Sequence, residues 1–319
     1  MSQTFAHIKK KVYLCNRLMK KLLPYIAIIL SMIIWSASGI AVKQALTSFS
    51  PLTLIIVRFA LSVLFMFLIG MAARRSTLFG LQKADRKDLP LFFLAGLFQP
   101  FLYYLAETYT YDLISTPTIA ETLLSVAPVL APLFGWVFLR EKVTPLMLTG
   151  IMISTIGVAV LVLVGTETFA IGNPWGVLLA VVAVMFALSA NVMLRRIPEK
   201  YNPLTIIFYT QIVSFVLFCG LWAFTDMRLE TIHTIAHGIA AEWQSLAYLA
   251  VMSSAVAFML YCYGVRIVGV VKANVFNNIR PVFTALIMFL VFSEHLPWTK
   301  WLGIMIIIAG LFLCHKRHK

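Results

Sequence analysis

The feature that most constrains this chain is a series of ten apolar runs of roughly bilayer-spanning length. A transmembrane helix needs about 20 consecutive, mostly apolar residues. With 61% hydrophobic and 12% charged residues, the 319-residue chain leaves no room for a folded domain outside the membrane. This composition excludes a soluble enzyme, a nucleic-acid-binding domain and a secreted disulfide scaffold. The predicted spans are residues 22–41, 51–71, 89–111, 115–139, 144–164, 174–195, 203–224, 245–265, 272–292 and 299–314.

The distribution of positive charge predicts how these spans are oriented. When successive loops are assigned to alternate faces, 21 of the 26 Lys and Arg residues lie on one side and 3 on the other. Cytoplasmic loops carry an excess of positive charge, so the basic tails 1–21 and 315–319 are both predicted to be cytoplasmic. The net charge of +14 therefore requires no nucleic-acid partner. The sequence predicts an all-α, multi-pass protein of a cell membrane, with the bacterial inner membrane as the expected location and the lipid bilayer as its surroundings.

An internal repeat divides the chain into two halves. Sliding the sequence along itself by 153 positions superposes like residues in one register over about 120 positions, which is typical of a duplicated fold. Residues 22–164 and 174–314 then form two repeats of five helices each. The superposed pairs include Pro128 and Pro281, Glu141 and Glu294, Gly150 and Gly303, and Gly157 and Gly310.

An odd number of spans in each repeat has a consequence for topology. The second repeat enters the membrane from the face opposite to the first, so the two are inverted. Inverted repeats are characteristic of secondary transporters, whose substrate site lies near the midplane between the halves. Two halves of one fold in opposite orientations can exchange conformations, which gives an inward-open and an outward-open state of similar energy.

The paired motifs resemble those of a known family. Each repeat has a Pro in its fourth helix, a Glu soon after that helix and a Gly-rich fifth helix. This order is similar to the EamA-type branch of the drug/metabolite transporter superfamily. The resemblance implies a ten-helix carrier that exports amino acids or other small metabolites through a central cavity lined by helices 1, 3, 4, 6, 8 and 9. It does not supply the substrate, because Asn277, Asn278 and Arg280 stand where small or apolar residues are commoner.

Two charged residues inside the predicted spans are the main candidates for a substrate site. Glu121 and Ser125 share one face of helix 4, and the repeat superposes them on Asn274 and Asn278 of helix 9. Arg280 lies beside this second face, where it is predicted to pair with Glu121 or to bind a substrate carboxylate. Intramembrane ionisable groups usually mark function; a buried structural ion pair between the halves is the alternative.

Four further residues are candidates for the cavity lining. Trp35 and Tyr104 lie deep in their spans, and plain packing is the alternative for both. Ser38 on helix 1 superposes on Asn191 of helix 6, so this polar pair is also predicted to face the cavity.

Two other charged residues within the predicted spans have a structural interpretation that requires no role in substrate binding. Glu107 lies near the outer end of helix 3, where it could reach the membrane interface. Arg58 could extend to the interface or join helices together.

The preferred function is secondary transport, with export of small metabolites such as amino acids through alternating access. An intramembrane enzyme acting on a lipid is the alternative, although the expected His/Asp or Glu/His cluster is not visible. A channel is disfavoured because no repeated filter element is present. No P-loop occurs, so ATP is not the energy source, and neither a cofactor nor a metal is expected. Proton coupling and facilitated diffusion stay open, as do a monomer and a homodimer.

Overall fold

The computed structural model of the protein describes residues 2–76, 80–163, 172–225, 232–293 and 297–315. Throughout these residues the regular structure is helical, apart from one isolated bridge between Ile114 and Gly172. The apolar helices are α1 Leu22–Ala45, α2 Pro51–Ala72, α3 Leu89–Leu113, α4 Ile119–Leu139, α5 Pro145–Leu161, α6 Pro174–Arg196, α7 Pro203–Phe224, α8 Trp243–Val268, α9 Val270–Val291 and α10 Trp298–Cys314.

The helices agree with the predicted spans to within a few residues at each end. Eight of them are long and apolar enough to cross a membrane, whereas α5 and α10 are shorter. The prediction of an all-helical, multi-pass chain is therefore confirmed; ten crossings and two cytoplasmic termini stay predictions. The segment predicted as a basic tail is helical from Ser2 and continuous with α1. A further short helix, Ile232–Ala241, lies between α7 and α8.

The two repeats contact each other closely at α5 and α10. A Cβ atom added to Gly150 would lie 2.7 Å from the carbonyl oxygen of Gly310, and one added to Gly157 would lie 3.0 Å from that of Gly303. Gly150 is equivalent to Gly303, and Gly157 to Gly310, so this contact maps onto itself when the repeats are exchanged. Residue numbers rise along one helix as they fall along the other. The equivalent helices therefore run antiparallel, as inverted repeats require.

Local breaks in the helices also recur in both repeats. Arg140 and Ser293, which lie 153 residues apart, have left-handed backbone with φ of 53° and 56°. A π-helical segment interrupts α3 at Leu97–Leu102, and another interrupts α8 at Tyr248–Val256. Tighter 3₁₀ geometry at Phe276–Ile279 interrupts α9, and α4 has a turn at the equivalent place. Such interrupted helices expose backbone polar groups where they line a cavity.

The distribution of side chains is the reverse of that in a soluble protein. Within the described apolar helices four charged side chains, Arg58, Glu107, Glu121 and Arg280, are buried. Large apolar side chains instead cover the outside, which is the surface that hydrocarbon solvates. Strongly exposed examples are Leu133, Trp136, Leu290, Val291 and Phe312. The polar interior is therefore where a function must be sought.

Candidate functional site

A cavity lies between the two repeats, among α1, α3, α4, α6, α8 and α9. About 40 Å³ of it is open to the centre of a water molecule, which is room for about three waters. The polar or aromatic residues that line it are Trp35, Ser38, Gln99, Tyr103, Tyr104, Glu107, Asn191, Phe258, Tyr261, Asn274, Asn277 and Arg280. Nearly all of these side chains are buried, and a cavity of this volume must widen to admit a metabolite.

Six of the nine residues predicted for the substrate site line this cavity: Trp35, Ser38, Tyr104, Asn191, Asn274 and Arg280. The other three, Glu121, Ser125 and Asn278, are buried behind its wall.

An ion pair between the repeats forms one wall of the cavity. Arg280 Nη2 lies 3.0 Å from Glu121 Oε1 and 2.8 Å from Oε2. Glu121 is completely buried and Arg280 is 5% exposed. The predicted pairing of these two residues is present, and it joins α4 of one repeat to α9 of the other. Arg280 Nε is buried with no hydrogen-bond partner among the described residues, so the guanidinium keeps a free donor.

The carboxylate of Glu121 is held from a second direction. The Tyr111 hydroxyl donates to Glu121 Oε1, and Tyr111 is itself buried. Gly39 of α1 lies against both, because a Cβ added there would be 2.7 Å from the Tyr111 hydroxyl and 2.8 Å from Glu121 Oε1. Glycine at this position therefore lets α1 approach the ion pair closely.

A second carboxylate lies in the cavity wall beside the first. Glu107 is 5% exposed and does not reach the membrane interface. Its Oε1 accepts a hydrogen bond of 2.6 Å from the Tyr103 hydroxyl and lies 3.9 Å from Arg280 Nη2. Arg280 thus faces two carboxylates, and it contacts Glu121 more closely.

The amide side chains of α9 point in two directions. Asn274 and Asn277 line the cavity, and Asn277 Nδ2 donates to Asn274 Oδ1 at 3.0 Å. Asn278 instead donates to Ser154 Oγ of α5 at 2.6 Å. Ser125 Oγ lies 2.6 Å from the carbonyl oxygen of Glu121 and 3.2 Å from that of Asn277. Ser125 and Asn278 therefore hold the helices that carry the site.

Aromatic rings form another part of the wall, where the guanidinium carbon of Arg280 lies 5.8 Å from the centre of the Trp35 ring. Trp35 packs against Phe258 and Tyr261 with ring centroids 5.0 Å and 5.2 Å apart, and its indole N–H donates to the carbonyl of Ser253 at 3.1 Å. Asn191 Nδ2 donates to the Tyr261 hydroxyl at 3.2 Å, whereas Asn191 Oδ1 has no donor among the described residues.

Arg58 joins helices behind this wall. Its Nε donates to Ser254 Oγ at 2.7 Å, and its Nη2 donates to Ser253 Oγ at 2.8 Å and to the Tyr104 hydroxyl at 3.0 Å. The guanidinium carbon also lies 4.4 Å from the centre of the Tyr104 ring. In the described part of the chain, no carboxylate lies within 4.0 Å of it. Arg58 is 2% exposed and links α2, α3 and α8, as its structural interpretation predicts.

Sequence reasoning passed over four residues that the structure places at the site: Gln99, Tyr103, Tyr111 and Asn277. Tyr111 lies near a helix end, where an interfacial aromatic belt is the commoner reason for a tyrosine. A signal was available for three of them, because Gln99, Tyr103, Glu107 and Tyr111 follow one another at intervals of four. Residues at this spacing share one face of a helix.

Comparison with known protein families identifies the family to which this chain belongs. The profile of the EamA-like transporter family matches twice, at residues 22–163 and 174–315. A solved crystal structure with 17% identity has a TM-score of 0.68 and shares the fold over 91% of this chain and 97% of its own.

Three curated relatives match over nearly their whole length. An uncharacterized transporter of Archaeoglobus fulgidus is 24% identical over 92% of this chain and 99% of its own. The probable terminal-alkyne amino-acid exporter of Streptantibioticus cattleyicolor is 25% identical over 91% and 93%. The uncharacterized inner membrane transporter YicL of Salmonella typhimurium is 25% identical over 90% and 93%. With its paired family matches and its multi-pass helical fold, the chain belongs to the EamA-like transporter family.

Proposed function

We propose that this transporter exports amino acids or related small metabolites by alternating access through the cavity between its two repeats. The observation that carries this proposal is Arg280, a buried cation in the cavity wall with a donor that has no partner. Leaving such a donor unpaired costs free energy, and a substrate carboxylate would satisfy it through a charge-assisted hydrogen bond. The name of the Streptantibioticus relative, an amino-acid exporter, supports the same substrate class.

The central cavity and the inverted repeats support alternating access. Because equivalent helices run antiparallel, exchanging the conformations of the two repeats would open the cavity to the other face. The further proposals are that all ten apolar helices cross a bacterial inner membrane and that both termini are cytoplasmic. Reporter tags at the termini should be cytoplasmic, and a tag within residues 225–244 should be outside. A cytoplasmic readout from that loop would contradict the ten-span topology.

The decisive experiment is transport by purified protein in proteoliposomes loaded with a radiolabelled mixture of amino acids. We expect release of a subset of them, and Arg280→Gln should abolish it while the protein still inserts. Normal release by Arg280→Gln would remove Arg280 from the site. The alternative of an intramembrane enzyme has less support, because the described cavity lining contains no histidine to work as an acid or base.

Two hypotheses describe the driving force of transport: coupling to a proton gradient, and facilitated diffusion along the substrate gradient. An imposed pH difference without a substrate gradient distinguishes them. Uphill accumulation by the wild type that disappears in Glu121→Gln supports coupling through that carboxylate. If the wild type accumulates nothing, proton coupling is eliminated.

A further inference from the structure

We propose that Glu107 binds the positively charged group of the substrate, so that the cavity selects a molecule carrying an ammonium beside its carboxylate. This inference rests on the proposed function and adds to it a second subsite. The carboxylate group belongs near Arg280, and the ammonium group belongs near Glu107.

The two buried glutamates occupy different positions relative to the cavity. Glu107 lines the cavity, whereas Glu121 is fully buried behind its wall. Both oxygens of Glu121 contact Arg280, and one of them also accepts from Tyr111. Glu121 is therefore a positioning residue that holds Arg280, and Glu107 is the carboxylate that a ligand can touch.

Glu107 lacks a close ion-pair partner of its own among the described residues. One guanidinium faces two carboxylates, and Arg280 lies 2.8 Å from Glu121 but 3.9 Å from Glu107. The contact that Glu107 does make, with the Tyr103 hydroxyl, is neutral. A carboxylate in a low-dielectric interior needs a compensating charge. A ligand ammonium at Glu107 would supply that charge.

Among the described residues, the other buried arginine acts on Glu107 only from beyond ion-pair distance. Arg58 directs Nε and Nη2 to Ser253, Ser254 and Tyr104, and its guanidinium lies against the ring of Tyr104. Within the described residues, the shortest ion-pair contact of Glu107 is the one to Arg280.

The rest of the lining also suits a cation. Asn191 Oδ1 is a buried acceptor that lacks a donor. Phe258 and Tyr261 line the same space beside Trp35, whose ring already lies against the guanidinium of Arg280, and aromatic rings attract ammonium groups. Arg280 Nε is an unpaired donor, so the described lining has both a donor and an acceptor available to a ligand.

The test compares wild type, Glu107→Gln and the matched control Glu199→Gln, which removes an exposed carboxylate far from the cavity. Each protein is reconstituted and given two radiolabelled probes: a mixture of amino acids and the same mixture N-acetylated. N-acetylation removes the ammonium charge and keeps the carboxylate. We expect the wild type and Glu199→Gln to prefer the free amino acids. In Glu107→Gln that preference should fall by about ten- to hundredfold, which corresponds to the loss of a charge-assisted hydrogen bond. An equal loss for both probes, or no change in preference, would overturn the inference.

A binding measurement separates this inference from the proposed function. Propylammonium chloride, which carries the cation alone, should raise the melting temperature of the detergent-solubilised wild type and of Glu199→Gln relative to equal sodium chloride. Glu107→Gln should show no such shift. A wild type that carries neither probe but shows this shift would refute the proposed substrate class and keep the ammonium subsite. A wild type that transports amino acids without the shift would refute the subsite and keep the proposed function.

Discussion

At the contact between α5 and α10, equivalent residues of the two repeats have equivalent surroundings. Gly150 meets Gly310 there, and Gly157 meets Gly303, so exchanging the repeats leaves the contact unchanged. At the contact between α4 and α9, equivalent residues have different chemistry. The repeat superposes Glu121 on Asn274 and sets Ala127 against Arg280. The first contact is dry and made by backbone approach; the second carries a buried ion pair.

The difference shows which parts of a duplicated fold must stay alike. Close packing of two helices depends on small residues along a repeating surface, and both copies supply them. An asymmetric ligand with a carboxylate at one end cannot be bound by two identical half-sites. The backbone breaks are therefore kept in both repeats, as Arg140 and Ser293 illustrate, while the side chains at the site have diverged.

The largest effect is expected from breaking the asymmetric contact. Arg280→Gln leaves two buried carboxylates without their cation, which should destabilise the protein by about 3–5 kcal/mol. It should also lower transport about a hundredfold or more, because the donor for the substrate carboxylate is lost. Unfolding in detergent and transport in proteoliposomes measure the two effects separately.

The double variant Arg280→Gln with Glu121→Gln provides the control for that prediction. Replacing both partners removes the uncompensated charge of Glu121, so much of the stability should return. Transport should stay low. Recovery of transport together with stability would show that the ion pair is structural. The α4–α9 contact would then serve packing, like the α5–α10 contact, and not substrate binding.

A smaller effect is expected from breaking the symmetric contact. Gly157→Ala places a Cβ 2.7 Å from the backbone nitrogen of Ile307, so α5 and α10 must separate. Overpacking of this kind costs about 1–3 kcal/mol. Substrate preference should not change, because these helices lie away from the cavity lining.

Gly220→Ala is the matched control for Gly157→Ala. A Cβ on Gly220 of α7 meets nothing within 4 Å, and Ala is favoured over Gly in a helix by about 1 kcal/mol. This variant should be as stable as the wild type or more so. If Gly157→Ala behaves in the same way, α5 and α10 are not tightly packed.

The next effect concerns the first turn of α9, where the two repeats also meet. Glu141 follows α4, and its two carboxylate oxygens accept from the backbone N–H groups of Val270 and Val271 at 2.8 Å and 3.0 Å. Glu141→Ala should cost about 1 kcal/mol, the usual value of a helix cap. Faster hydrogen exchange at Val270 and Val271 would localise the loss. Lys142→Ala, one residue along, should leave exchange there unchanged. The equivalent Glu294 lies outside the described residues.

The smallest effect concerns a third contact between the repeats, outside the membrane. Asp88, next to α3, lies 2.8 Å from Lys200 Nζ and accepts a hydrogen bond of 2.8 Å from the Tyr201 hydroxyl. These two donors, Lys200 first, hold the pKa of the Asp88 carboxyl below its ordinary value of 3.8. Because the folded pKa is the lower one, the stabilisation is complete above pH 3.8 and is lost as the pH falls through the folded value.

The predicted loss of stability on acidification can be checked by measuring the melting temperature as a function of pH. The wild type should lose stability on acidification below about pH 4, and Asp88→Asn should show a shallower decline. Asp112→Asn, which removes an exposed carboxylate near the other end of α3, should keep the wild-type slope. Identical slopes for wild type and Asp88→Asn would show that Asp88 does not join the repeats.

Much of the site could be predicted because helical spacing is regular. Glu121 and Arg280 are predicted from their place in apolar spans and from the repeat, which superposes the polar face of Glu121 on the α9 face beside Arg280. Regular α-helical spacing does not predict the direction of Asn278. The segment Phe276–Ile279 is a 3₁₀-helix, which turns about 20° more per residue than an α-helix. Asn277 therefore lines the cavity, while Asn278, which α-helical spacing favoured, faces Ser154.

The sequence by itself determined the helical spans, the internal repeat and the face of each helix that is polar, because these depend on hydropathy and on spacing along one chain. Only the tertiary structure decided which candidate side chains line the cavity and which lie behind its wall. Glu107 and Tyr111 lie near the end of α3, and the sequence could not distinguish an interfacial position from a buried one. Whether these two residues are buried depends on how α4 packs against α3 after the connecting turn and on how α1 packs at Gly39. Both are set by contacts between residues far apart in the chain, and no periodicity within a single helix records them.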